Sequence, residues 1–466
     1  MTTKNARRGP LAGAPAVGDE LTLELSDLLS NGQAVGRIAG IVVFVWGALP
    51  GERARVRVST VKSNYVVANL LELEVRSSER AAPFCPVFGE CGGCQVQHLA
   101  YTAQLAWKRR IVADALERIG KFHGVEVAPT VGMSHPRNYR NKIALVSARK
   151  ADGTPQLGFY RARSHSLVAI NGCPVALPQL DAAIGALQQA ISSEPMQAAL
   201  AQTKHLVIRS GAGSKQSVVS LMTLQRSRVV DAAAQAVAET VAGTVGVANS
   251  WDPASENAIT GRRHAIVWGS PEMEESIGDL RFRVSAASFF QVNSSVLGAI
   301  FAHLAGRLPV PRTVVDLYCG MGAFSVFFAK AGCDVSGIEE NGYAVNEARA
   351  NAALNGVEKR TRFLLGRSES MLRDEPGRAL LAKADIVFLD PPRKGSDEMT
   401  LGAIADAAVA SVWYLSCNPA TLARDLAFLR DRGYALESVT PFDMFPHTGH
   451  VETLVTMNRL PEYTVS

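Results

Sequence analysis

The sequence has no apolar run approaching the roughly 18 residues that a helix needs to cross a bilayer. Its first ten residues, MTTKNARRGP, lack the apolar stretch of a signal peptide. We therefore expect a cytoplasmic protein with no membrane partner. Its 7 cysteines are then not expected to form disulfides, so any cluster of them indicates metal binding or catalysis.

The chain has ample material for a folded core, since 47% of its 466 residues are hydrophobic. This length predicts about three domains. The changes in pattern along the chain place a basic tail at residues 1–17, a β-barrel at 18–77, a central domain at 78–280 and a catalytic domain at 281–466. Nothing in the sequence indicates an obligate protein partner, and we expect a monomer.

The barrel prediction comes from short alternating segments that follow Gly18. These segments are LTLEL, VGRIAGIVVFV, ARVRVST and YVVANLLEL, with turn signals at Asn31-Gly32 and Pro50-Gly51. Small OB-like barrels of this kind often bind oligonucleotides, although they also serve as general scaffolds.

Positive charge is concentrated in residues 101–170, where twelve Lys and Arg face four Asp and Glu. The segment begins with a predicted helix, Tyr101–Ile119, that is expected to expose Lys108, Arg109 and Arg110 together. Farther on, Asn138–Lys142 and Gly158–Arg163 mix aromatic residues with cations, a combination that stacks bases and neutralises phosphates. RNA is the expected partner, and ordinary solvated strands are the alternative.

Four cysteines stand apart from the rest in two glycine- or proline-containing loops. A C-x5-C-x2-C run is followed well downstream by a Cys-Pro pair, and its four members are Cys85, Cys91, Cys94 and Cys173. Zinc and iron–sulfur clusters both use four thiolates. The x5 gap and the remote fourth residue favour a [4Fe–4S] cluster over zinc, and four unrelated thiols remain the alternative.

The last third of the chain repeats strand, glycine-rich turn and helix, which is typical of a doubly wound α/β sheet. The first turn contains Gly320 and Gly322, but Ser325 stands where a dinucleotide site has its third glycine. The next strand ends at Glu339, nineteen residues after Gly320, a position suited to binding ribose hydroxyls.

Three polar motifs follow later apolar runs and are expected at one edge of this sheet. Asp390 ends one run, Cys417 ends the next, and Glu452 begins the final one. The last two strands are joined by a link too short for a helix, so they should pair antiparallel, as in the methyltransferase variant of the nucleotide-binding fold. Considered without the other two motifs, Cys417 could equally be a small apolar residue at the end of a buried strand.

These residues resemble the RNA uracil-C5 methyltransferase family over nearly the whole chain. The shared motifs are FFQVN from Phe289, DLYCGMGAF, LDPPRKG, SCNPATLARD and DMFPHTGHVE. The amino-terminal barrel is similar to a TRAM domain, and the four cysteines are similar to the family's [4Fe–4S] ligands.

The resemblance implies S-adenosylmethionine as methyl donor, with Gln291, Tyr318, Glu339 and Asp390 lining its site. It further implies that Cys417 is the nucleophile and Glu452 the base. Ala323 and Arg367 depart from the family pattern, in the glycine loop and at a position that often contacts adenine, so those two contacts are not carried over.

The expected activity is methylation of uridine C5 in folded RNA, with 23S ribosomal RNA favoured because the barrel and cluster are usual in that branch. A transfer-RNA enzyme of the same chemistry is the first alternative. An amino-methyltransferase would need neither Cys417 nor Glu452. A non-catalytic RNA-binding iron–sulfur protein would leave the glycine loop and Glu339 unexplained.

Overall fold

The structure is a computed structural model that describes residues 15–255, 258–310 and 312–461. The basic tail expected at residues 1–17 therefore lies almost entirely outside the described residues. In the described ranges, no helix is long and apolar enough to cross a membrane. Buried apolar side chains form one cluster inside the barrel, one beneath the central sheet and one on each face of the last sheet.

The amino-terminal strands close into a five-stranded barrel in the order β1-β2-β3-β5-β4, which confirms the prediction. They are β1 (Glu20–Leu28), β2 (Gln33–Ile38), β3 (Ile41–Trp46), β4 (Arg53–Val61) and β5 (Tyr65–Val75). Alternate residues of β3, such as Val43 and Val45, point into the barrel. The run VGRIAGIVVFV forms two strands rather than one, because Ala39 and Gly40 adopt positive φ and make a two-residue turn.

Helix α1 (Tyr101–Arg118) joins the barrel to the rest of the protein. Trp107 donates its indole N–H to the carbonyl oxygen of Leu28 in the barrel, at 2.9 Å. Lys108 was expected to be exposed beside Arg109, but it is fully buried. This prediction was wrong because the partner of Lys108 is 335 residues away and leaves no trace in the helical periodicity.

That partner is Asp443, which precedes the final strand. The Lys108 ammonium lies 2.5 Å from Oδ1 of Asp443 and 2.9 Å from the carbonyl oxygen of Phe445. Tyr101 donates its hydroxyl to the other carboxylate oxygen at 2.9 Å. Burial lowers the pKa of Lys108, and the charge of Asp443 opposes that change. The helix thus fixes the loop between the last two strands.

The central domain is a seven-stranded sheet in the order β12-β11-β10-β9-β6-β7-β8, with its helices on one face. The other face packs against the catalytic domain through residues such as Val218 and Ala248. The elements are β6 (Lys142–Arg149), β7 (Pro155–Tyr160), β8 (Leu167–Ala169), α2 (Pro178–Ala190), α3 (Glu194–Gln202), β9 (His205–Ser210), β10 (Ser217–Met222), α4 (Arg228–Thr240), β11 (Thr244–Trp251) and β12 (Arg263–Gly269).

A hairpin and a helix lead into the catalytic sheet. The hairpin is β13 (Glu272–Ile277) with β14 (Leu280–Ser285), and the helix is α5 (Ser294–Ala305). Between β14 and α5 runs an irregular segment, residues 286–293, which we name the Gln291 loop. Asn293 ends this loop and caps α5, because its side-chain oxygen accepts a hydrogen bond from the N–H of Val296.

The last sheet has the order β17-β16-β15-β18-β19-β21-β20. Its strands are parallel except β21, which is antiparallel to both neighbours, so the predicted doubly wound methyltransferase sheet is confirmed. The elements are β15 (Thr313–Leu317), α6 (Ala323–Lys330), β16 (Asp334–Glu339), α7 (Gly342–Leu354), β17 (Thr361–Leu365), α8 (Ser368–Met371), α9 (Glu375–Leu381), β18 (Ile386–Leu389), α10 (Glu398–Asp406), β19 (Ser411–Ser416), α11 (Pro419–Arg430), β20 (Tyr434–Phe442) and β21 (Glu452–Arg459).

Replacing Lys108 with Met should destabilise the protein by about 3–5 kcal/mol, because it leaves a buried carboxylate without its cation. The matched control is Arg110→Met, since Arg110 pairs with Asp27 at the surface, where such a pair contributes at most about 1 kcal/mol. Urea unfolding followed by circular dichroism measures both variants. Equal losses in the two variants would contradict the role given to Lys108.

Candidate active site

The parallel strands bring several polar side chains to the carboxyl edge of the last sheet. Four candidate residues lie at the ends of β15, β16, β18 and β19: Tyr318, Glu339, Asp390 and Cys417. Strand β21 runs in the opposite direction, and its residue Thr453 pairs with Ser416 of β19. The first residue of β21, Glu452, therefore lies beside the end of β19. The structure therefore brings Glu452 to the edge that carries Cys417.

The turn after β15 has the backbone of a ligand-binding loop. Tyr318, Gly320 and Gly322 all adopt positive φ, of 64°, 53° and 83°. Such a conformation is costly for Tyr318, and strain of this kind is concentrated at functional sites. The N–H of Gly320 donates to Oε2 of Glu339 at 3.1 Å, which fixes the carboxylate next to the turn.

Ser325, where a dinucleotide-binding loop has its third glycine, serves a structural purpose here. Its hydroxyl donates to Oδ2 of Asp316 at 2.5 Å. Asp316 is buried in β15, and burial raises its pKa to about 7. The serine therefore satisfies a buried carboxyl under the glycine loop, and the sequence difference follows from that partner.

Two carboxyl groups face the end of β19, that of Asp390 half-buried and that of Glu452 buried. Burial raises the pKa of Asp390 to about 7, and Gln291 donates its side-chain N–H to Oδ2 of Asp390 at 3.3 Å. Burial also raises the pKa of Glu452 well above its ordinary value, and the charge of Asp390 adds to this effect. Oε2 of Glu452 has no hydrogen-bond partner in the described residues. One buried acceptor is thus left for a ligand.

Cys417 is half-buried next to these carboxyl groups. Burial raises its pKa to about 11, and the charges of Glu452 and Asp390 also favour the neutral thiol. Arg393 acts in the opposite direction on both Cys417 and Glu452. Arg393 was visible in the LDPPRKG motif, but the motif alone gave no reason to link it to the thiol.

Comparisons with known proteins agree with this geometry. A family described as tRNA (uracil-5-)-methyltransferase matches residues 272–460, and the TRAM domain family matches residues 16–71. Uncharacterized RNA methyltransferases of Halalkalibacterium halodurans and Gloeobacter violaceus are 35% and 36% identical to the chain; they cover 94% and 96% of it and 97% and 98% of their own lengths. The crystal structure of Pyrococcus abyssi tRNA (uracil-54, C5)-methyltransferase in complex with S-adenosyl-L-homocysteine matches with a TM-score of 0.74 and 26% identity, over 94% of this chain and 100% of that one.

The chain belongs to the RNA uracil-C5 methyltransferase family. This family is S-adenosylmethionine-dependent, and the barrel at the amino terminus is a TRAM domain. The family membership that the sequence motifs predicted is therefore confirmed.

Arg367, one of the two departures from the family pattern, is held by acidic neighbours in this methyltransferase. Its Nε lies 2.8 Å from Oε1 of Glu369 and 3.5 Å from Oε2 of Glu340. Ala323, the other departure, begins α6 directly after Gly322 and carries no polar group. Neither residue therefore supplies a carboxylate or amide of its own to a bound nucleoside.

The four cysteines predicted as metal ligands lie close enough together for the charges of three of them to act on the fourth. Burial raises the pKa of Cys94 to about 12, and the charges of the other three thiols add to the rise. The N–H of Gly93 donates to Sγ of Cys91 at 3.4 Å. In the ranges that the structure describes, no group of three or more His, Cys, Asp or Glu has the arrangement of a metal site. The structure thus brings the four thiols near one another, but in the described residues it does not arrange them as metal ligands.

The basic segment of the methyltransferase includes a partly buried cation that is not paired among the described residues. Lys142 is half-buried, and its ammonium makes no hydrogen bond or ion pair within the described part of the chain. Burial, together with the nearby positive charges of Arg209 and Arg140, lowers the pKa of Lys142 to about 7. Arg163, in contrast, already packs over the ring of Trp46 at 4.2 Å. The ammonium group of Lys142 is therefore available to pair with an anionic ligand.

Removal of single charges should shift the ionisation of Cys417 in opposite directions. Glu452→Gln removes a negative charge and should lower the pKa of the thiol from about 11, whereas Arg393→Met removes a positive charge and should raise it. The rate of iodoacetamide alkylation of Cys417, followed by mass spectrometry at several pH values below 11, rises with the thiolate fraction; it should be faster than wild type in Glu452→Gln and slower in Arg393→Met. Shifts of the same sign in both variants would show that these charges do not act on the thiol.

Proposed function

We propose that this enzyme methylates carbon 5 of a uridine in RNA, with 23S ribosomal RNA as substrate. The observation that carries the proposal is the meeting of a thiol and an unpartnered carboxylate, Cys417 and Glu452, beside the glycine loop. Reactions at uracil C5 need both a nucleophile and a base at one carbon–carbon double bond, and this pair supplies them. The cytoplasm, where RNA is processed, is the proposed location.

In the proposed mechanism, the thiolate form of Cys417 adds to C6 of uracil, and the displaced electron pair forms an enolate that makes C5 nucleophilic. S-adenosylmethionine, when bound, would supply an electrophilic methyl group to C5 and would leave as S-adenosylhomocysteine. The Glu452 carboxylate then removes the C5 proton, the double bond re-forms, and the bond between C6 and sulfur breaks. The products are 5-methyluridine, S-adenosylhomocysteine, the Cys417 thiolate and the protonated carboxyl group of Glu452.

The surroundings of the two groups suit these roles. Glu452 must be ionised to act as base, and its raised pKa makes it a stronger proton acceptor than an exposed carboxylate. Gln291 and Asp390, joined by their hydrogen bond, would hold the methyl-donor end of the cofactor. Tyr318 and Glu339 would line its nucleoside end, because they flank the glycine loop.

Lys142 and Arg140 support RNA as the substrate. The guanidinium Nε of Arg140 donates to the carbonyl oxygen of Lys142 at 2.9 Å, so the two cations lie together. A half-buried ammonium next to other cations is stabilised when a phosphate neutralises it. Contact with the RNA backbone accounts for this cluster.

The choice between ribosomal and transfer RNA depends on other features. The TRAM domain and the four converging thiols favour the ribosomal branch. The similar archaeal structure is that of a transfer-RNA enzyme, which makes transfer RNA the second candidate.

Mass spectrometry of RNA from a deletion strain separates the two candidates. Loss of one 5-methyluridine from 23S ribosomal RNA, restored by the wild-type gene but not by a Cys417→Ala gene, is the expected result. Loss from transfer RNA alone would move the proposal to the second candidate.

The two catalytic assignments differ in the step at which a variant stops. Cys417→Ala should bind RNA and cofactor but transfer no methyl group, because no C6 adduct forms. Glu452→Gln should transfer the methyl group and then remain attached to methylated RNA, because the C5 proton stays in place. A denaturing gel with radiolabelled cofactor should show an RNase-sensitive shifted band for Glu452→Gln.

Wild-type enzyme with 5-fluorouridine RNA is the positive control for that band, since fluorine at C5 cannot be removed as a proton. Full turnover by Cys417→Ala would exclude the covalent mechanism. Normal turnover by Glu452→Gln, with no trapped species, would assign proton removal to another group.

We also propose that the four thiols hold a [4Fe–4S] cluster. The chemistry of the donors fits, since four cysteines converge and the N–H of Gly93 donates to the sulfur of Cys91. The sulfurs would have to move to reach ligand geometry, because the described residues contain no group arranged to hold a metal ion. The bound group would tie Cys173 to the loop of Cys85, Cys91 and Cys94 and so join two distant parts of the chain.

Anaerobically purified protein should be brown and contain about four irons per chain. Cys91→Ser should lose the colour and most of the iron, while Cys333→Ser, at a buried cysteine of the catalytic domain, should keep both. Metal analysis and absorption spectra measure this outcome. Stoichiometric zinc without iron would replace the cluster with a zinc site.

A further inference from the structure

The Gln291 loop carries a candidate cofactor ligand but forms no strand or helix over residues 286–292. Its backbone carbonyls must therefore find donors outside regular secondary structure. Gln291 is buried and points to Asp390, whereas Phe289 is 71% exposed. Something other than the loop itself must keep this irregular shape.

The first set of donors comes from Arg209 in β9 of the central sheet. Its Nη2 donates to the carbonyl oxygen of Ser288 at 3.0 Å, and its Nη1 to that of Phe290 at 3.4 Å. Arg209 is fully buried, and its Nε has no partner among the described residues. Burial of a guanidinium opposes folding, and the charges of Glu347 and Glu275 offset part of that cost.

The second set of donors comes from Asn141, immediately before β6. Its side-chain N–H donates to the carbonyl oxygen of Gln291 at 2.9 Å, and its backbone N–H to that of Val292 at 2.8 Å. Asn141 also donates to the hydroxyl of Ser294, at 3.2 Å. Asn141 is fully buried and directly contacts Gln291, the candidate cofactor ligand.

The two donors are themselves held in one rigid frame. Strands β6 and β9 pair antiparallel, and Lys142 lies opposite Arg209 in their register. The donors thus stand on neighbouring strands of a seven-stranded sheet. Four carbonyl oxygens of the Gln291 loop, those of residues 288, 290, 291 and 292, thus accept hydrogen bonds from residues anchored in this sheet.

We propose that Arg209 and Asn141 are positioning residues for Gln291, so that the central domain sets the geometry of methyl transfer. Neither residue touches the reacting atoms; each acts through the carbonyls of the loop. The proposal rests on the proposed function, because it takes Gln291 as a cofactor ligand. A displacement of about 1 Å at such a group lowers the rate of reaction about 10²-fold.

The first test measures the loop itself and needs no activity. In Arg209→Met and in Asn141→Ser, the amides of residues 286–293 should exchange with deuterium faster than in wild type. Arg209→Lys should be intermediate. The matched control is His205→Leu, in the same strand, because His205 is buried and its ring makes no hydrogen bond in the described residues. Unchanged exchange in the folded variants would overturn the proposal.

The second test is a double-mutant cycle on the single-turnover rate of methyl transfer with saturating RNA. Arg209→Met alone should lower the rate about 10²-fold, but in a Gln291→Ala background it should change the rate by about twofold or less. A residue that only stabilises the fold would have the same effect in both backgrounds. Equal losses in the two backgrounds would therefore overturn the proposal.

The two tests separate this proposal from the proposed function. Absence of methyl transfer to any RNA by wild-type enzyme would refute the function, while the exchange data would still decide whether Arg209 and Asn141 hold the loop. Normal methyl transfer together with unchanged exchange would refute only the positioning role.

Discussion

Strand β21 lies between β19 and β20 and runs antiparallel to both, and the candidate chemistry depends on this one reversal. The carboxyl end of β19 delivers Cys417, and the amino end of β21 delivers Glu452. In an all-parallel sheet the start of that strand would lie at the opposite edge, roughly 20 Å away for strands of this length. The reversal therefore brings the carboxyl group of Glu452 to the edge where the other candidate residues lie.

The two irregular segments of the catalytic domain are both held by earlier parts of the chain. The loop before β21 is fixed by Lys108 at Asp443, and the backbone N–H groups of Gln95 and Val96 donate to the carbonyl oxygen of His447 at 3.0 Å. The Gln291 loop is fixed by the central sheet. The catalytic domain thus has a sheet of its own, but the surfaces that complete its site come from the preceding domains.

The sequence was sufficient for the elements that repeat a pattern. Alternation predicted the barrel, and the strand–turn–helix repeats predicted the parallel sheet together with the edge that carries Asp390 and Cys417. Contacts between distant residues left no such pattern. Lys108 looked like a surface cation because Asp443 is far away in sequence, and nothing local marked Arg209 as the donor to a loop 79 to 81 residues later.

The central claim is substitution at carbon 5 of uracil, and tritium release tests it most directly. Enzyme is given S-adenosylmethionine and ribosomal or transfer RNA containing [5-³H]uridine, and tritium in water is compared with methyl groups incorporated. The account predicts one tritium released for each methyl group transferred, because Glu452 removes the C5 hydrogen. Methyl transfer without tritium release would place the new methyl group on another atom and contradict the account.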